Sequence, residues 1–369
     1  MTRTDDGGRD PARRAEDPGG LARLTAGEVP ALAAGAALLG SGGGGNVSAG
    51  ARLLRHALDA RGGDGVPVVR ADGLPPDTLI VHVGLIGAPD VLEERLFAAE
   101  DFGRALRAVE ETVGGVAGAV GVIEIGGLNA LTPPLAAAHL GLPVVDGDLM
   151  GRAFPRLFQT TLALHGRPAE PIAVVGPGGD TVVVRRCTAR RAERIVRANA
   201  AALGGAAAIA LYAVTAADLT AYGIPGSLGR CVTLGAGFLA ARDAPVDTLC
   251  ARLGARLLGQ GRVDEIVPRD GTVPGSATLL DRVSGAVLRV DLLDEYLTVA
   301  VDGRTVAATP EVVVALDPAG RAPVHCDQLR PGQQLALLRL PPLVRWPRTA
   351  DGLVGPAAYG LVTDREGAG

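Results

Sequence analysis

VGVIEIGGLNALTPPLAAAHLGLPVVDGD, residues 120–148, decides the fold. VGVIEI (120–125) is a β-branched run, the stretch near 132–140 is Ala/Leu-rich, and LPVVDGD (142–148) returns to β-branched residues. Strand, helix and strand in succession are the unit of an α/β layer with a mostly parallel sheet. Working outward, VPVV (66–69), LIVHVGLI (79–86) and a helix from about Asp101 to Val113 extend the same alternation. In such a layer, ligands bind at the loops that leave the C-terminal ends of the strands.

Toward the N-terminus, Thr25 and Glu28 have capping-box spacing ahead of an Ala/Leu-rich segment ending at Leu39, with Pro30 pushing the helix start a few residues later. Residues 1–24 mix Arg, Asp, Gly and Pro without periodicity and read as a disordered tail. Past Gly166 come IAVV (172–175), TVVVRRC (181–187) and a helix from about Ala189 to Leu203, in which Glu193 and Arg197 form an i,i+4 pair. From Thr278 the chain alternates β-branched and polar residues between Gly, Asp and Pro turns, the pattern of an antiparallel β module. The expected fold class is therefore α/β: an N-terminal α/β domain over 25–168, then a mixed C-terminal domain over 169–364 rich in β structure.

The 369 residues suffice for two such domains, and 47% hydrophobic with 21% charged residues is ordinary globular usage. A net charge of -4 and the lack of basic runs interleaved with aromatics exclude nucleic acid as the expected partner. Cys187, Cys231, Cys250 and Cys326 are widely spaced, which argues against a disulfide framework and for a reducing compartment. No apolar run has the length of a membrane span and the N-terminus has no apolar signal region, so a cytoplasmic location is expected, without membrane contact.

Four segments carry chemistry. LGSGGGGN (39–46) offers the amides of Gly42, Gly43, Gly44 and Gly45 as a nest for an anion. LIGAPDVLEER (85–95) places Glu94 just past a strand, as a general acid/base or an ordinary first-turn helix acid. In VIEIGGLNALTPPLAAA (122–138), Glu124 stands inside an apolar strand, either paired or lining a pocket, and Asn129 follows at its exit. In LPVVDGDLMGRAFPRL (142–157), Asp146, Asp148 and Arg152 leave a strand together, as metal ligands, an acid–base pair and a carboxylate binder, or as a local salt bridge. The five histidines have no metal-binding spacing. Only His82, on a strand, is of interest among them, and His325 with Cys326 reads as a surface loop.

These segments, followed by IPGSLGR, LLGQGRVDEI, LLDEYLTV and LVGPAAYG, closely resemble the S-methyl-thiohydantoin desulfurase-like family over about Leu24 to Tyr359. The resemblance implies an α/β N-terminal domain, a β-rich C-terminal domain, and desulfurisation of a thiohydantoin or S-methyl-thiohydantoin ring. It also implies genes neighbouring those of hydantoinase-type enzymes. The chain departs from the family at Arg156-Leu157, where Glu-Leu is usual, and at Leu293-Asp294-Glu295-Tyr296-Leu297, where Gln-Asn-Glu-Asn-Leu is common.

Hydrolysis at C2 of such a ring needs a base, an acid and a site for developing negative charge. Asp148 or Glu94 is the expected base, directly or through a divalent metal, which is the sole cofactor suggested. Glu124 joins them as a catalytic candidate. The Gly42–Gly45 amides, Asn129, Asp146 and Arg152 are the expected substrate contacts. The rival readings are a hydrolase or isomerase of another cyclic imide or amide, and a non-catalytic accessory subunit. The expected partners are a small cyclic substrate and, as protein, a second copy of the chain or a hydantoinase-type enzyme.

Overall fold

A computed structural model describes residues 20–88, 91 and 97–364. The first strands are β1 (Arg23–Leu24), β2 (Val66–Val69), β3 (Leu79–Gly87), β4 (Ala117–Val122), β5 (Val144–Val145), β6 (Gly147–Asp148), β7 (Ile172–Val175), β8 (Thr181–Val184), β9 (Ala206–Thr215) and β10 (Ile224–Pro225). Eight of them form one sheet in the order β1-β2-β5-β4-β3-β9-β7-β8. Its heart, β2-β5-β4-β3, is parallel, as the β-α-β reading requires, and antiparallel strands extend it at both sides. β6 and β10 pair separately.

The helices match their sequence signals closely. Ala99–Val113 ends on Gly114 and Thr132–Leu140 on Gly141, both glycines left-handed at φ 73° and 71°. The first helix starts at Val29, not at the capping box, because Pro30 belongs in a first turn. The Glu28 carboxylate instead accepts hydrogen bonds from the Thr25 amide and hydroxyl. Order also begins before residue 25: Arg23–Leu24 pairs with β2 and Leu24 is fully buried. Of the expected tail, 1–19 lies outside the described residues.

A second, antiparallel sheet comprises β11 (Arg256–Val267), β12 (Gly275–Leu280), β13 (Val287–Leu292), β14 (Tyr296–Val301), β15 (Arg304–Ala308), β16 (Val312–Asp317), β17 (Ala322–Pro323) and β18 (Gln334–Leu340), in the order β15-β14-β13-β12-β11-β18-β16-β17. It starts about twenty residues before Thr278. β11 is half-exposed and interrupted by Gly259 and Gly261, so it lacks the alternation that marks the later strands.

Alternate residues of β16 and β18 serve two cores. Val312, Val314, Leu316, Ala336, Leu338 and Leu340 join the core of the helices Val29–Leu39 and Ser227–Ala241, while Val313, Ala315, Leu335 and Leu337 fill the second sheet's own interior. The first sheet includes β7, β8 and β9, so a division at residue 168 falls among strands of one sheet. Among the described residues no helix is long and apolar enough to cross a membrane.

Candidate functional site

A cavity of about 420 Å³ opens where β3 and β4 end. Leu85–Ala88 and Ile123–Glu124 form the strand-end wall, Gly44, Gly45, Leu128 and Asn129 a second, and Met150 with Phe154–Leu157 a third. Arg197 and Ala200 come from the helix Ala189–Ala202, and Arg269, Asp294 and Glu295 from the second sheet. The site thus lies at the strand C-termini, as an α/β layer dictates, but it is closed by the β-rich half.

Glu124 lies two residues beyond β4 rather than within it, and is only 7% exposed. Its Oε1 accepts from Asn129 Nδ2 at 2.7 Å and its Oε2 from the Phe154 amide at 3.3 Å. Burial pushes its carboxyl up to about 7 against those hydrogen bonds. Asn129 also accepts from the Leu85 amide at 2.7 Å and donates to the Leu85 carbonyl at 3.1 Å. Its amide is therefore largely committed to fixing Glu124 on the end of β3, a positioning role more than a substrate contact.

Glu295 sits in the turn between β13 and β14 and is 3% exposed. Its Oε2 has no hydrogen-bond partner among the described residues. Burial, then Asp294 and Glu124, raise its carboxyl well above the usual range, while Arg152 and Arg197 oppose the rise. Two buried carboxyls that repel each other's charge therefore meet at one cavity, the arrangement that separates an acid from a base.

The glycine run is stitched into the second sheet. The Ser41 hydroxyl donates to the Val313 carbonyl at 2.8 Å, the Tyr296 amide donates to Ser41 O at 2.7 Å, and the Cys326 amide to Gly42 O at 2.8 Å. A side chain at Gly43 would lie 2.6 Å from Glu295 Oε1, so glycine here is a requirement of close approach. Gly44 and Gly45 have φ 75° and 77°, and among the described residues nothing accepts a hydrogen bond from either amide. These two line the cavity; Gly42 and Gly43 do not. The run also leads, through Asn46, whose side chain caps it, into a helix at Val47–Ala60.

The other acids expected at the site are elsewhere. Asp148 is fully buried, and its Oδ2 accepts from the amides of Ile125, Met150 and Gly151 at 3.1, 3.1 and 2.7 Å. Burial raises it to about 6. Asp146 accepts from the Gly229 amide at 3.0 Å, in the first turn of the helix Ser227–Ala241. Neither aspartate lines the cavity, and among the described residues no three His, Cys, Asp or Glu side chains are grouped to hold an ion.

Arg152, 1% exposed, spends its guanidinium on the carbonyls of Ala153, Glu311 and Tyr296, joining the two halves beneath the cavity. It lies outside the cavity and contributes a buried positive charge near Glu295 and Glu124. Glu94 lies outside the described residues. His82 is a core residue, its Nδ1 2.8 Å from the Tyr212 carbonyl. His325 and Cys326 are partly buried rather than on a surface loop, Cys326 being held against Gly42.

Glu295, Arg156, Arg197, Arg269 and Asp294 are the site residues that sequence reasoning did not assign. Arg197 looked like half of a helical ion pair, which it also is, bonding Glu193 at 2.6 Å. The signal for Arg156 was present as a departure from the family pattern, and Glu295 is one of the two residues, with Leu297, that its segment shares with that pattern.

The comparisons with known proteins agree with this architecture. A crystal structure of a protein from Chromobacterium violaceum is similar to this chain at 25% identity and a TM-score of 0.73, over 87% of this chain and 92% of that one. No curated protein matches. The S-Me-THD-like N-terminal domain matches residues 27–186 and the S-Me-THD-like C-terminal domain residues 187–366. With both domains matched in order across nearly its whole length, the chain belongs to the S-Me-THD-like family.

Proposed function

We propose that the protein hydrolyses a thiohydantoin-like five-membered ring at C2, with Glu124 and Glu295 as the acid–base pair. The observation that carries this reading is the meeting of two buried carboxyls, both raised by burial, at one cavity large enough for a small ring. Glu124, at about 7, is ionised in a large share of molecules near neutrality and takes a proton from water. The water oxygen bonds to C2, and the electron pair of the C2=N or C2=S bond moves onto the heteroatom. The free Gly44 and Gly45 amides are placed to stabilise that developing charge. Collapse of the adduct forms the C2 carbonyl and breaks the C–S bond as Glu295 protonates the sulfur, and the proton of the C2 hydroxyl passes to the sulfur of a thio ring or to the ring nitrogen of an S-methyl ring. The products are the C2 carbonyl and either hydrogen sulfide or, from an S-methyl ring, methanethiol. The proton taken by Glu124 restores Glu295, so the sum is ring plus water.

Glu124→Gln and Glu295→Gln are each expected to lower sulfide or methanethiol release by roughly 10²–10⁴-fold, with unchanged circular dichroism. Full turnover in both variants would remove the assignment. Ring opening without sulfur release would replace the reaction by cyclic-amide hydrolysis at the same site. Binding of the rings with no turnover would favour an accessory subunit.

A further inference from the structure

We infer that Arg156 makes this cavity selective for a ring bearing a carboxylate substituent. The inference rests on the reading of the cavity as the ring-binding site. Its starting point is a charge inventory. Of the three arginines lining the cavity, Arg197 is paired with Glu193 at 2.6 Å and Arg269 with Asp294 at 3.0 Å. No carboxylate among the described residues pairs with Arg156. Glu124 and Glu295, the remaining acids described on the wall, form no ion pair with Arg156. Among the described residues, Arg156 is therefore the cavity's guanidinium without an ion-pair partner.

That guanidinium is held in place rather than waving in solvent. Its plane lies over the Tyr359 ring, 5.2 Å from the centroid, and Nη1 donates to the Ala358 carbonyl at 3.2 Å. The Tyr359 hydroxyl accepts in turn from Gln159 Nε2 at 2.9 Å, and Gln159 Oε1 accepts from the Arg156 amide at 3.1 Å. On either side, Arg197 donates to the Pro155 carbonyl at 2.5 Å and the Leu157 amide donates to Glu193 at 2.6 Å. An arginine has five N–H donors in a planar fork that matches a carboxylate in two parallel bonds. With one of the five spent on Ala358, the fork retains the donors needed for such a pair, already ordered before the ligand arrives.

The test is binding to the full-length protein by titration calorimetry. The probes are a hydantoin carrying a carboxymethyl group at C5 and the same ring with the neutral carboxamide. The acid should bind at least about tenfold more tightly than the amide, the gap narrowing as salt is raised. Arg156→Met, which keeps the stem on Tyr359, should abolish the gap, and Arg156→Lys should retain part of it. Equal affinity for both rings, a preference that survives Arg156→Met, or no binding of either ring would each overturn the inference. Sulfur release from the matching thio rings is followed separately. Selective binding of the acid with no release would fail the desulfurisation reading alone, whereas release from both rings at equal kcat/KM and equal affinity would fail the selectivity alone.

Discussion

Two sets of acids in this molecule look alike as sequence and differ in what surrounds them. Asp146 and Asp148 leave one strand two residues apart; Glu124 and Glu295 are 171 positions apart in numbering, with no motif joining them. Yet the aspartates stand away from the cavity: three amides converge on Asp148 Oδ2, its buried Oδ1 having no partner among the described residues, and Asp146 serves the first turn of a helix. The glutamates face the cavity. Glu295 Oε2 has no partner among the described residues, and Glu124 is held by one side-chain amide and one long backbone bond at a cavity wall. A buried carboxyl held by fixed amides away from any cavity is a structural clamp; one on a cavity wall can exchange a proton with what enters.

The sharpest way to break this contrast is to remove the clamp. Asp148→Ala leaves three amides unsatisfied in a dry interior and should lower unfolding free energy by roughly 3–5 kcal/mol, seen as an early urea transition. A variant of native stability that has lost turnover would instead return Asp148 to the chemistry.

The next effect is in pH. The folded Glu124 carboxyl holds its proton up to about 7, whereas its ordinary value is 4.5. Between those values the folded protein binds more protons than the unfolded chain, so stability should fall as pH rises through that window and level off above it. Asp148, raised from 3.8 to about 6, adds a fall of the same sign. Urea melts across this range should show Glu124→Gln removing roughly 3 kcal/mol of the dependence. An unchanged slope would mean that Glu124 is not held protonated.

The smallest effect belongs to Asp146. Its replacement by Ala removes a first-turn acceptor of the helix Ser227–Ala241 and should cost about 1 kcal/mol, with kcat/KM on any turned-over ring unaltered. A large loss of activity at native stability would place Asp146 nearer the substrate than its hydrogen bond implies.

The glycine run shows where local reading stops. Four successive glycines announce a close approach, and Gly44 and Gly45 do present free amides to the cavity. That Gly42 and Gly43 face Tyr296 and Glu295 instead could not be read locally, because those neighbours arrive from the second sheet. Arg152 makes the same point. Beside two aspartates it reads as their salt-bridge partner or a substrate clamp, but its three carbonyl partners include Tyr296 and Glu311 from the far half.

By itself the sequence determined the parallel heart of the first sheet, its main helices, and the family. These rest on local periodicity, capping and motif, whose causes lie within a few residues of one another. Only the tertiary structure decided which acids reach the cavity. That depends on which backbone amides converge on each carboxyl, and on Glu295, Arg269 and Tyr359 reaching the neighbourhood of Glu124 or Arg156 from the second half. Proton affinity follows burial and neighbours, and those are properties of the folded chain.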